Sequence, residues 1–549
     1  MNDSSATPAT ERVSGNIVDV HRRRVFPGTV VLRSGRIVEV VEEAGPYSTY
    51  LAPGFVDAHV HVESSMLPPA EFARLAVVHG TVATVSDPHE IANVAGIDGV
   101  DYMLASARQA PLKICFGAPS CVPATSFDRA GAHLGPEEVA ALLARPEIGY
   151  LSEMMNYPGV IAGDAEVMAK LAAARRAGKP IDGHAPGVRG EALRHYVAAG
   201  ITTDHECVAL DEAREKAALG MKILIREGSA AKNFEALWPL LRESPEQCML
   251  CSDDKHPNDL VEGHIDALVR RAVALGVDVF DAWRAASVNP VEHYRLDIGL
   301  LRPGDPADMI EVDDLETVRV LRTWIGGRLV ARAGESLVPR VPTAAINRFA
   351  TKPKRPADFA IPAQGEHVRV IEALDGQLVT RSLVLPATVR DGFVVSDTSA
   401  DVLKMAVVDR YHDAAPAVAL VKNFGLRRGA IASSVSHDSH NIVAVGASDE
   451  ELARAVNLVI EVRGGISVAG PNVEAVLPLP IAGLMSDGEA GHVAREYARL
   501  DRLAKELGSP LTAPFMTLSF MALLVIPALK LGPQGLFDVE AFRPAPLFV

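Results

Sequence analysis

Between Gly54 and Asp254 the chain repeats one pattern: an apolar run, a charged or imidazole residue at its end, then a helix signal. The runs are GFVDAHVH (54–61), TVATVSDPHE (81–90), GYLSE (149–153), PIDGH (180–184), ITTDHE (201–206) and CMLCSDD (248–254). Strand and helix alternating every 20 to 30 residues or so predict a parallel sheet. Across roughly 250 residues, about eight such units fit an α/β fold, the (β/α)8 TIM-type barrel. Its strand C-termini converge on one mouth, so the polar residue closing each run marks where a site belongs.

The connecting segments carry helix punctuation. Asp164 reads as an N-cap, and Val167, Met168, Leu171, Ala172 and Arg175 follow at helical spacing until Gly178. Gly190–Ala199 stops at Gly200, and Asp211–Leu219 stops at Gly220. Leu260, Val261, His264, Ile265, Leu268, Val269, Ala272 and Val273 form one further stripe, ended by Gly276.

His59 and His61 are two apart, and on a strand such residues share a face, so two imidazoles stand side by side. The full inventory at the mouth is His59, His61, Asp87, Glu90, Glu153, His184, His205, Glu206, Asp253 and Asp254. Imidazoles with carboxylates suit Zn²⁺, Mn²⁺ or Fe²⁺ and disfavour an all-oxygen Ca²⁺ or Mg²⁺ cage. The set exceeds the needs of one tetrahedral ion, which points to two ions sharing a carboxylate.

The segment Pro53-Gly54-Phe55-Val56-Asp57-Ala58-His59-Val60-His61, with His184, His205 and Asp253 at later strand ends, resembles the amidohydrolase superfamily. So does the exit segment SVNP (287–290) followed by GLLRPGDPAD (299–308). More narrowly the chain is similar to the adenine deaminase branch, through HVHVESSM (59–66), DPHEIANV (87–94), SEMMN (152–156), GHAPG (183–187), DHE (204–206) and SDDKHP (252–257). The C-terminal segments FGLRRGAIASS (424–434), SHDSHN (436–441) and LPLPIAGLMSD (477–487) extend the likeness to nearly the whole chain.

That resemblance implies two divalent ions, Mn²⁺ or Fe²⁺ with Zn²⁺ as a third option. His59 and His61 would hold one, His184 and His205 the other. Glu153 would bridge them where other branches use a carboxylated lysine; no lysine stands near that strand end. Asp253 would be both ligand and base. The implied reaction is hydrolysis of adenine to hypoxanthine and ammonia, part of purine salvage or catabolism.

The chemistry asks for such residues independently. A divalent metal lowers the pKa of water from 15.7 to about 7, which makes hydroxide available at neutral pH. Attack at C6 builds charge on N1, and the amino group leaves as ammonia, so a general acid must accompany the base. Glu90 and Asp87 are candidates for contact with N1 or other ring nitrogens, and Asp254 for accepting a ring N–H. The plainer reading of Asp87-Pro88-His89-Glu90 is a cap on the following helix. Two alternatives stay open: a hydrolase opening a cyclic amide, hydantoinase- or dihydropyrimidinase-like, and a scaffold that has lost its metals.

The other zinc nucleobase deaminase architecture needs His-x-Glu with Pro-Cys-x-x-Cys. Cys248-Met249-Leu250-Cys251 lacks both the proline and the partner motif, and reads as a buried strand. Five cysteines in so long a chain suggest a reducing compartment, here the cytoplasm. A net charge of −15 argues against nucleic acid or an anionic membrane as partner. A small-molecule purine substrate and a homo-oligomer, taken as a dimer, are expected instead. Met1–Thr10 is polar, unlike a signal peptide. The apolar run Phe515–Leu531 is shorter than the ~20 residues of a membrane span and contains Pro527 and Lys530, so a buried element is expected.

Four segments follow: residues 1–52 as the first part of a small β-sandwich, 53–304 as the barrel, 305–349 as the second part of the sandwich, and 350–549 as a further α/β domain. Short strands are expected at 29–32 and 36–40, and at 309–312, 318–321 and 328–330. KPKRP (352–356) reads as a linker, and Ser448–Glu451 as a capping box. In the last domain, Arg427 and Arg428 could bind an anion. His437 and His440 either reach into the barrel mouth or stay in a hydrogen-bonded loop.

Overall fold

The computed structural model describes residues 10–549; Met1–Ala9, most of the polar N-terminal segment, lie outside the described residues. The strands Phe55–Val60, Thr81–Ser86, Lys113–Ala118, Ile148–Met154 and Ile181–Gly183 pair in chain order, all parallel. Thr203–Asp204, Lys222–Arg226 and Cys248–Cys251 form a second parallel group. The Thr202 amide donates to Ile181 O at 3.0 Å between the groups, and the Asp253 amide donates to His59 O at 2.9 Å. The sheet is therefore curled, with its last strand brought against its first.

Phe55–Val60, Thr81–Ser86 and Cys248–Cys251 are buried at every residue, the condition of parallel strands covered on both faces. All five cysteines are free, and Cys248 and Cys251 are core residues, as expected. The helix Ala165–Ala177 opens with Asp164 accepting from the Val167 amide and closes at Gly178, whose φ of 67° suits glycine. Gly190–Ala198 and Leu210–Ala218 follow their strands in the same way.

The stripe before Gly276 departs from expectation. It is two helices, Pro257–Glu262 and Ile265–Ala274, separated by Gly263 in an extended conformation. The cause is His264: its Nε2 lies 2.8 Å from Asp57 Oδ2 and its Nδ1 2.7 Å from Thr81 Oγ1. Drawing this imidazole into the strand layer outweighs continuing the helix.

The segments before and after the parallel strands join in one eight-stranded sheet. Met309–Val312 runs antiparallel to Tyr50–Pro53, which runs parallel to Glu11–Asp19. Arg24–Arg33 and Arg36–Glu42 complete one side, and Val320–Ile325, Arg328–Arg332 and Glu335–Ser336 the other.

The C-terminal part is built on a second eight-stranded, mostly antiparallel sheet, with Ala430–Ser433 and Ile442–Gly446 near its centre. The helix Asp449–Glu461 starts where Ser448 Oγ accepts from the Glu451 amide at 3.2 Å. The late apolar run becomes a helix Pro514–Ser519, a 3-10 turn Phe520–Ala522 and a strand Leu529–Gly532, all buried. Among the described residues no helix is long and apolar enough to cross a membrane. This part touches the strand C-termini: the Ser486 amide donates to Met66 O at 2.8 Å, and the Ala490 amide to Glu71 Oε1 at 3.0 Å.

Candidate active site

Most of the parallel strands end in side chains of a common buried cluster. His59 lies on Phe55–Val60 and His61 just after it, Glu153 on Ile148–Met154, and His184 follows Ile181–Gly183. His205 and Glu206 follow Thr203–Asp204, and Asp253 and Asp254 follow Cys248–Cys251. All are at most 7 % exposed.

Glu153 divides its carboxylate between two pairs of imidazoles. Oε1 lies 3.2 Å from His61 Nε2 and 3.9 Å from His59 Nε2. Oε2 lies 2.7 Å from His184 Nδ1 and 3.1 Å from His205 Nε2. Asp253 Oδ1 faces the first pair, 3.3 Å from His61 Nε2 and 3.6 Å from His59 Nε2. Its Oδ2 accepts from Arg226 Nη1 at 2.6 Å. Arg226 also grips Glu206, with Nη2 3.0 Å from Oε2.

Burial opposes ionisation of Glu153, but His205, His184 and His61 outweigh it and hold the carboxyl well below its usual range. Burial likewise opposes charge on Asp253, and Arg226 and His61 reverse the balance. His59 is pushed well below its ordinary value by burial and by neighbouring His205. His61, His184 and His205 go the other way: burial disfavours their charge, but the neighbouring carboxylates outweigh it and raise all three, so a cation binding here would displace their protons.

Donor atoms of His59, His61 and Asp253 lie within 4.8 Å of one another, as do those of His59, Glu153 and His205, and those of His184, His205 and Glu206. His59 Nε2 and His61 Nε2 face each other at 3.2 Å, two nitrogens converging on the same carboxylate oxygens. This donor set fits a divalent cation of the Zn²⁺, Mn²⁺ or Fe²⁺ type.

Around the cluster lie His89, Glu90, Met155, Asp254 and five residues from the C-terminal part: Leu378, His437, Asp438, Phe520 and Leu523. Glu90 accepts from His437 Nδ1 and His440 Nε2. Burial disfavours its charge, but His437 and His89 hold it well below the usual carboxylate range. Asp87 does not line the cavity. Its Oδ2 lies 3.0 Å from His89 Nδ1 and its Oδ1 accepts from the His89 amide at 3.0 Å, so it fixes His89, and one of its oxygens lies within 4.8 Å of donor atoms of His61 and Glu153. Asp254 lines the cavity and accepts from Ser64 Oγ.

The amidohydrolase family matches residues 50–330, and the adenine deaminase C-terminal domain matches residues 377–543. The chain is 57 % identical to an adenine deaminase of Salinibacter ruber over 99 % of its length and 100 % of the relative's. The chain belongs to the adenine deaminase family. A Sulfurovum adenine deaminase is 56 % identical, covering 97 % of this chain and 98 % of the relative. One from Methanosarcina barkeri is 53 % identical, with the same coverage.

In this family member the sequence-predicted residues come together, with Asp87 beside His61, His89 and Glu153. Sequence reasoning passed over His89 and Arg226. His89 stood inside a quoted motif without a role, and its place between Asp87 and Glu90 was the available signal. Arg226 ends an apolar strand as the other site residues do (KILIR), but as a cation it does not read as a ligand.

Proposed function

We propose that this chain hydrolyses adenine to hypoxanthine and ammonia, and that the eight parallel strands form a (β/α)8 barrel spanning residues 53–304. In this reading residues 1–52 and 305–349 make the flanking β-sandwich, and 350–549 the family's C-terminal domain. The observation carrying it is Glu153, whose two oxygens serve two separate imidazole pairs. His59, His61 and Asp253 would hold one ion and His184 and His205 another, with Glu153 placed to serve both. Manganese or iron is the expected pair. Bound there, such ions supply hydroxide at neutral pH.

The protein residues handle the protons. Asp253 Oδ1, free of Arg226, accepts one from the attacking water and passes it to the departing amine. Glu90, ionised between His437 and His440, takes the second proton of the attacking water and relays it to N1 as the ring loses aromaticity. Water thus contributes its oxygen to C6, one proton to ammonia and, in balance, one to N1. Asp87 holds the His89 ring against this cluster, and Asp254 closes the cavity beside His437.

Manganese-loaded protein incubated with adenine should release ammonia, and an Asp253→Asn variant should not. Absence of turnover in the wild type refutes the activity. Turnover that survives in the variant refutes the role of Asp253.

A further inference from the structure

His437 and Asp438 lie on the loop between Ala430–Ser433 and Ile442–Gly446 of the C-terminal sheet, yet both line the cavity over Glu153 and Asp253. Both are packed against the cavity wall. The His437 ring gives Nδ1 to Glu90 and stacks on Phe520, with centroids 4.4 Å and planes 8° apart. Asp438 turns Oδ1 towards His89 Nε2 at 3.7 Å. The remaining polar atom of each, His437 Nε2 and Asp438 Oδ2, is buried without a hydrogen-bond partner. The two residues are only 2 % and 3 % exposed.

A buried polar atom without a partner is costly, and folded chains keep few of them. Two on adjacent residues, both at the cavity, are explained if a ligand supplies the partners. The imidazole cluster fixes which end of a purine faces inward, because C6 must meet the hydroxide. The edge farthest from C6 carries N3 and N9, one bare nitrogen beside one N–H.

We propose that Asp438 is a specificity-determining residue that accepts the N–H of the purine's five-membered ring, while His437 Nε2 faces the adjacent bare ring nitrogen. The C-terminal domain then reads the substrate edge that the barrel cannot reach. It selects a free base over any purine substituted on that nitrogen, because a substituent removes the N–H and places bulk against a buried carboxylate. This rests on the adenine reading above.

The test compares adenine with 9-methyladenine, which has no ring N–H, on the metal-loaded full chain. The wild type should favour adenine in kcat/KM by at least about a hundredfold, as a site built to bond an N–H rejects the analogue lacking it. Asp438→Ala should lower kcat/KM for adenine about 10- to 100-fold, mostly through KM, and change 9-methyladenine by no more than about twofold. Equal losses on both substrates, or no loss on adenine, overturn the assignment. If Asp438→Ala does not fold, inhibition constants on the wild type decide: 9-methyladenine binding as tightly as adenine also overturns it. A wild type that releases no ammonia from adenine refutes the activity instead, a result distinguishable from either.

Discussion

Arg226 Nη1 lies 2.6 Å from Asp253 Oδ2, while the other oxygen of the same carboxylate faces His59 and His61. The guanidinium therefore fixes which Asp253 oxygen faces the imidazoles, the one to which we assign the reacting water. Arg226→Met leaves Asp253 and Glu206 buried without their counter-charge. Breaking a buried pair in this way costs about 3–5 kcal/mol, so urea unfolding should show a loss of that size. Steady-state kinetics should show kcat/KM for adenine reduced by at least about 100-fold, since Asp253 loses both its orientation and its charge balance. A variant with wild-type turnover would remove Arg226 from the catalytic arrangement.

Among the described residues, Glu153 is the carboxylate that lies within 4 Å of both imidazole pairs. Glu153→Gln keeps the shape but offers one carbonyl oxygen where the carboxylate offers two. Elemental analysis after manganese loading should give about two ions per wild-type chain and one or fewer in the variant, with activity down more than about 100-fold. Full occupancy in the variant would rule out the bridge.

Asp57, between the apolar residues of the first strand, is buttressing the site from behind. Its Oδ1 accepts from the Ser252 amide at 3.0 Å, and its Oδ2 meets His264 Nε2 at 2.8 Å. Ser252 precedes Asp253, so Asp57 sets where the Asp253 carboxylate starts. Asp57→Ala should lower kcat about 10- to 100-fold with little change in metal content. It should also lose on the order of 2–4 kcal/mol of stability through the unpartnered Ser252 and His264 groups. An unchanged kcat would confine Asp57 to a structural role.

The buried strand-end cluster was legible because each of its members lies within a few residues of an apolar run, a purely local signal. His59 and His61 share a strand face whatever the rest of the chain does. The contact of Glu90 with His437 and His440 was not legible, because about 350 residues separate them and nothing near either end announces the other. The break at Gly263–His264 was hidden for a related reason. The stripe is helical by period, and only the distant Asp57 and Thr81 pull His264 out of it. Glu11–Asp19 and Tyr50–Pro53 were missed as strands because pairing, rather than alternation, defines them.

Lys530 is fully buried at the back of the cavity wall, its Nζ donating to Leu378 O at 2.7 Å and Phe520 O at 2.9 Å. Those carbonyls belong to two residues that line the site. Burial alone lowers the Lys530 pKa to about 7. The unfolded chain keeps this proton up to its ordinary value of about 10.4, so between those limits the unfolded state binds more protons. Stability therefore gains from this group as pH rises from 7 towards 10, and the penalty for charging it is fully present below 7. Lys530→Met removes the term. Urea unfolding of both proteins at pH 7 and pH 10 should show the variant's stability, relative to wild type, falling by on the order of 2–4 kcal/mol between the two. A pH-independent difference would mean that Lys530 stays charged within the wall, held by the two carbonyls.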